Sequence, residues 1–258
     1  MIRRPSPSET PWIAFRHTPS AVTVRLFCFH HAGGNALVFR DWTAGAPSGV
    51  DLCPVQIPGR STRMDEPPYR DLRSLARAAF EGLAPLFDRP YILFGHSMGA
   101  ALAYEVTLAA LRAGLPGPLL LAASGRRPPH RPMARPIFRF PDEQFLDELR
   151  RFNGIPAQLL EDPSMVELIV RIARPDFEAN DTYAGSGETV SAPILALGGD
   201  ADPNVSLADL EGWSAATRGR FRVQTFAGDH FYLHDAKDEI LRLLLAESGL
   251  ASTACPNS

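Results

Sequence analysis

Residues 91–103 read Tyr-Ile-Leu-Phe-Gly-His-Ser-Met-Gly-Ala-Ala-Leu-Ala. The first five form a compact apolar run ending in glycine, as a strand buried on both faces would. From Met98 to Ala113 the residues favour helix, and Gly114 follows as a stop. Between them lies Gly95-His96-Ser97-Met98-Gly99, a G-x-S-x-G pentapeptide. Alone, such a match arises by chance roughly one time in ten in a chain of this size. Set on a strand-to-helix turn, it is the arrangement that holds a nucleophilic serine at the end of a sheet. Glycines at both flanks remove side chains that would collide with the neighbouring strand and helix. Ser97 is therefore the predicted nucleophile. The Met98 N–H, at the positive end of the helix, is a predicted oxyanion donor. His96 is expected to pack and to face away from the reaction.

Working outward, further apolar runs predict strands at Val22–Phe29, Val50–Ile57, Leu119–Ala123, Pro193–Leu197 and Arg222–Phe226. Helical spacing marks Leu72–Phe87 through Leu72, Leu75, Ala76, Ala79 and Leu83. Strands alternating with helices predict an α/β fold, a mostly parallel central sheet with helices on both faces. In such sheets functional loops gather at the C-terminal ends of the strands.

One stretch breaks the alternation. No strand-like run lies between Ser124 and Ala192, which is too long for a structureless loop in a compact domain. It opens with the proline- and arginine-rich RRPPHRPMARP and then turns helical. Asp142 is a candidate cap for a helix bearing Phe145, Leu146 and Leu149. Asp162-Pro163 pairs a capping residue with proline at the first helical position. Met165, Leu168, Ile169 and Ile172 then recur at helical spacing. An inserted helical lid, about 126–190, is expected within a domain spanning 21–250. Residues 1–20 read as an N-terminal extension and 251–258 as a disordered tail.

A serine hydroxyl needs a base to take its proton. In this strand-turn-helix setting the chain order is Ser, acid, His. Of the seven histidines, only His230 and His234 follow the last strands. His230 lies on the loop directly after the final strand and is favoured; His234 falls where the last helix starts. The strand at 193–197 ends in Gly-Gly-Asp200-Ala-Asp202-Pro. Asp202 lies further out and is followed by Pro203, so it is the preferred acid, with Asp200 as a turn-capping side chain. Asp229 adjoins His230, but neighbours on a loop rarely face each other. The second oxyanion amide is expected in His30-His31-Ala32-Gly33-Gly34, and Ala32 is its predicted donor. Adjacent histidines do not easily share one ion, so no metal is expected.

Composition narrows the partners. The chain has 258 residues, 45% hydrophobic and 21% charged, with a net charge of −3. It shows no basic footprint for nucleic acid and no polybasic membrane signal. Lys237 is the only lysine, and the scattered arginines match a GC-rich codon bias better than an anion site. Cys28 and Cys53 sit in apolar runs, and no CxxC spacing involves them or Cys255, so disulfides are not expected. With no apolar leader and no stretch of about 18 apolar residues, a cytoplasmic location is expected.

Several segments resemble the type II (external, editing) thioesterases of polyketide and nonribosomal peptide biosynthesis, in the α/β-hydrolase superfamily. They are CFHHAGG, IPGRSTRMDEPP, FGHSMGAALAYE, LRRFNGIPAQLLEDPSMVELIVRIARPDFEANDTY, GGDADPNVS and GDHFYL. The resemblance runs from about Leu26 to the last helix. It departs at His30, usually proline, at Asn153-Gly154, usually Gly-Gly, and at Ala173-Arg174-Pro175-Asp176, usually LRAD-like. The resemblance implies an α/β-hydrolase fold with Ser97, Asp202 and His230 as triad and Ala32 and Met98 as oxyanion amides. It implies hydrolysis of acyl thioesters from the phosphopantetheine arm of an acyl or peptidyl carrier protein, by a monomer without a cofactor. The rival readings are a small-molecule carboxylesterase or lipase, a cyclising or acyl-transferring enzyme, and a non-catalytic acyl-carrier-binding module.

Overall fold

A computed structural model describes residues 10–16, 19, 21–133, 135–152, 159 and 161–250. Six strands form one sheet: β1 (Val24–Phe29), β2 (Val50–Val55), β3 (Tyr91–His96), β4 (Leu120–Ser124), β5 (Ile194–Gly199) and β6 (Phe221–Phe226). Their spatial order is β2-β1-β3-β4-β5-β6, and every pairing is parallel. The helices are α1 (Trp42–Gly45), α2 (Leu72–Leu83), α3 (Met98–Arg112), α4 (Asp142–Arg151), α5 (Pro163–Asp181), α6 (Leu207–Glu211) and α7 (Lys237–Glu247).

The period-2 alternation of strands sorts each apolar run into two layers. Phe27, Leu93, Leu121 and Ala196 face α2, α3 and Trp213. Leu26, Ile92, Phe94, Leu120 and Leu195 face Trp42 and the Ile240, Leu241 and Leu244 stripe of α7. Because both faces are covered, β1 to β5 are buried along their whole length. Charged residues inside strands are admitted in pairs. Arg25 and Asp51 stand opposite each other in register, with Nε 3.0 Å from Oδ2.

The strand and helix readings hold with boundary shifts of up to about two residues, apart from the helix read over Leu72–Phe87. There α2 stops at Leu83 and a 3-10 turn, Ala84–Leu86, completes the segment. Pro85 has no N–H to continue the α-helical ladder. Asp142 is not a cap; it is the first helical residue of α4, and Pro141 holds the capping position. Asp162 does cap α5, accepting from the Ser164 N–H at 2.8 Å.

Residues 10–16, read as part of an extension, lie along the edge strand. Ile13 bridges Val55 antiparallel, and Trp12, Ile13 and Phe15 are buried. Between β4 and β5, α4 and α5 build a separate small core from Ile137, Phe145, Leu146, Leu149 and Ala173. Residues 1–9, Asn153-Gly154 and the 251–258 tail with Cys255 lie outside the described residues.

The Phe94 ring sits 4.9 Å from Trp42 and 6.0 Å from Phe39 and is fully buried. Phe94→Ala should destabilise the protein by about 3–5 kcal/mol, read from denaturant unfolding. A change below about 1 kcal/mol would mean that this layer repacks freely.

Candidate active site

Ser97 occupies the single residue between β3 and α3, with φ 56° and ψ −118°. A side-chain-bearing residue rarely holds this conformation, and it persists only where the surroundings over-determine it. Its N–H is tied to Ser124 O at 2.8 Å. A Cβ at Gly95 would overlap the Gly99 carbonyl, and one at Gly99 would overlap Phe29 O and lie 2.8 Å from His30 O. The two glycines thus let α3 start directly against β3 and the end of β1. As the first residue of α3, Met98 has an N–H with no acceptor inside the helix.

His230 lies on the loop after β6. Its Nδ1 is 2.7 Å from Asp202 Oδ2 on the loop after β5. An ionised carboxylate only accepts, so Nδ1 carries the proton and Nε2 is left as a proton acceptor. The Asp202 side chain is fully buried, and its Oδ1 accepts from the Asn204 N–H at 2.8 Å. Asp200 instead accepts from the Gly228 N–H at 3.0 Å and stitches the two loops together.

Ser97, His230, His31, Ala32 and His234 line one cavity of about 430 Å³. Its far wall is apolar and comes from α5, through Met165, Leu168, Ile169 and Ile172. Leu149 and Phe152 add to it, and the Phe152 ring lies 5.8 Å from the His230 ring. Arg126 also lines the cavity; burial pushes its guanidinium down to about 10, and it donates to Asn180 Oδ1 of α5.

Two further histidines bear on the site. His96 packs as the sequence reading has it, fully buried and not lining the cavity, with its ring centre 5.0 Å from that of His230. Its Nδ1 is 2.8 Å from Ser124 Oγ, which is 2.6 Å from Tyr232 Oη. His234 ends a short 3-10 turn, Tyr232–His234, ahead of α7 and faces the cavity. Ser124 and Tyr232 escaped the sequence reading. Their signal was positional: each falls where a strand end or post-strand loop meets the site.

Three imidazoles near the site are withdrawn from water, His30 and His96 fully and His31 in part, since it also lines the cavity. Burial, then Arg60, lowers His30 to about 3, and burial, then His30, lowers His31 to about 3. Burial, then His230, drives His96 well below the usual range. All three are neutral when folded, whereas the unfolded chain protonates them below about 6.5. The unfolded state then binds more protons, so stability falls as pH drops from about 6.5 towards 3. Each histidine adds a slope approaching about 1.4 kcal/mol per pH unit in that window. Unfolding measured at pH 5 and 7 should show this loss, and His31→Phe should remove roughly a third of it. An unchanged slope in that variant would place a charged His31 in the folded protein.

The Thioesterase domain family matches residues 24–247. The linear gramicidin dehydrogenase LgrE of Brevibacillus parabrevis is 36% identical over 250 residues, covering 95% of this chain and 94% of that protein. No G-x-G-x-x-G dinucleotide fingerprint occurs in the present chain. The type II thioesterase BorB from the borrelidin biosynthetic cluster superposes with a TM-score of 0.81 at 34% identity, covering 90% of this chain and 95% of BorB. YbtT, a type II thioesterase from the yersiniabactin NRPS/PKS biosynthetic pathway, gives 0.82 at 27%, covering 90% and 96%. The parallel sheet and its flanking helices are those of the α/β-hydrolase fold. This chain belongs to the thioesterase family, and its relatives there include type II thioesterases of nonribosomal peptide and polyketide biosynthesis.

Proposed function

We propose that this thioesterase hydrolyses acyl groups from the phosphopantetheine arm of acyl or peptidyl carrier proteins through a Ser97–His230–Asp202 triad. The observation that carries this reading is the 2.7 Å Asp202–His230 contact beside a strained Ser97 in one shared cavity. Ser97 Oγ attacks the thioester carbon while His230 Nε2 takes its proton. The Ala32 and Met98 amides stabilise the oxyanion. The C–S bond breaks, and the thiol leaves with the proton from His230. A thiol with pKa about 8.5 is an easier leaving group than an amine. Water then attacks the acyl-enzyme, His230 takes the water proton, and it passes that proton to Ser97 Oγ as the ester C–O bond breaks. The products are the free acid and Ser97 restored.

The 126–190 segment acts as a lid whose α5 face receives the acyl chain. Its apolar wall suits hydrocarbon, and α4 with the first part of α5 has a small core of its own. Among the described residues no helix is long and apolar enough to cross a membrane. Cys28 and Cys53 are free and buried, which fits action in the cytoplasm, and the enzyme works as a monomer.

Intact-mass spectrometry with a panel of acyl carriers tests the reading. Wild type should deacylate carriers and carry the acyl mass on Ser97. Ser97→Ala should lose the adduct and about 10⁴–10⁶-fold in rate. Asp202→Asn should lose about 10³–10⁴-fold in kcat. Unchanged hydrolysis in Ser97→Ala would dismiss the triad, and a strong preference for simple esters would make the enzyme a carboxylesterase. No hydrolysis by wild type would leave a carrier-binding module.

A further inference from the structure

The Asp176 carboxylate is one of the most deeply buried charges in the protein, at 2% exposure, and the proposed chemistry does not use it. It stands on α5, yet its contacts lie in two distant loops. Its Oδ2 accepts from the Gly33 N–H at 2.7 Å. Arg60, on the loop after β2, donates to both oxygens: Nη2 lies 2.6 Å from Oδ1, and Nη1 meets Oδ2. The same Nη1 lies 3.3 Å from Gly34 O, and Nε lies 3.3 Å from Pro58 O. Arg60 is as enclosed as its partner.

These bonds converge on the loop that carries Ala32. Gly33 has φ +77°, and a Cβ there would come within 3.2 Å of the Ala173 Cβ, so the loop backbone rests directly on α5. The Gly34 N–H donates to His31 O at 3.1 Å and closes the turn. Peptide units are planar, so holding the Gly33 N–H fixes the plane of the 32–33 unit. With the turn closed, the preceding unit, which bears the Ala32 N–H, is left little freedom. A buried ion pair is weak evidence for stability, since apolar packing would stabilise as well. A two-pronged guanidinium on a carboxylate adds direction, which apolar packing lacks.

We infer that Arg60 and Asp176 are positioning residues that aim the Ala32 amide at the oxyanion and join the β1 loop to α5 as one body. This rests on the oxyanion role proposed for Ala32. Small displacements matter here, because an oxyanion donor works only within a few tenths of an ångström of its place.

The test uses the full-length protein with an acyl-N-acetylcysteamine thioester and two inhibitors of matching chain. One is a trifluoromethyl ketone, which forms a tetrahedral oxyanion on Ser97; the other is an inert thioether. Asp176→Asn and Arg60→Lys should lower kcat by about 10–100-fold with KM within about threefold. Ketone affinity should fall by the same factor as kcat, thioether affinity should hold, and Asp176→Glu should recover part of the loss. If Asp176→Asn does not fold, Arg60→Lys carries the same comparison. Equal losses for ketone and thioether would make the pair a purely structural strut and overturn the inference. Wild-type kcat in the folded variants would also overturn it. Ala32→Pro, which deletes the amide proton, separates the two readings. Undiminished ketone affinity in Ala32→Pro removes the role of Ala32 itself. A loss there beside normal Asp176→Asn and Arg60→Lys removes only the positioning role.

Discussion

Beside the first turn of α3 there is no space for a methyl group. The Gly99 backbone lies against the carbonyls of Phe29 and His30, and Gly95 lies against Gly99 itself. This contact forces β3 into α3 through one residue, and Ser97 takes a left-handed conformation as a result. Such a conformation costs about 1–3 kcal/mol, which the surrounding core must offset. The same contact brings the end of β1 beside the serine. The loop bearing Ala32 therefore begins next to the group it is proposed to assist. The loops after β5 and β6 close the ring by stitching to each other through Asp200 and Gly228.

Much of this was legible in the residues. Strands buried on both faces leave nearly continuous apolar runs, so β3, β4 and β5 stand out, and β1 does so despite Arg25. The apolar spacing of α2 named the residues that are buried: Leu72, Leu75, Ala76, Ala79 and Leu83. Asp202 is preferred to Asp200 because it lies further out on the loop and precedes Pro203, and it is Asp202 that meets His230. Long-range polar pairing was not legible. Arg60 and Asp176 are 116 positions apart, and no local pattern marks two charges that will be buried together. The neighbour of His96 is illegible for a related reason. Alternation along β3 gives its face of the sheet, but not which ring from a distant loop packs beside it.

The helical segment after β4 divides its work between two surfaces. Its inner apolar faces make a small core of their own, and the α5 stripe forms a cavity wall. Arg174 braces the inner part, with its guanidinium 2.8 Å from Phe140 O and 2.6 Å from Asp142. Asp176, two residues on, ties the same helix to the sheet domain. Any opening of the proposed lid must therefore hinge elsewhere or break that pair.

The margins of the sheet are also worked out. On one side Ile13 bridges Val55, with the Gln56 N–H 2.7 Å from Trp12 O and the Ala14 N–H 3.2 Å from Pro54 O. Pro54 has no N–H to offer, which a margin tolerates and a central strand would not. On the other side β6 carries Arg222 and Gln224 outward, and Arg222 pairs with Glu247. A strand from another molecule would meet a covered border on one side and a charged one on the other. The sheet thus offers its apolar strands no open edge on which a second copy could add a strand.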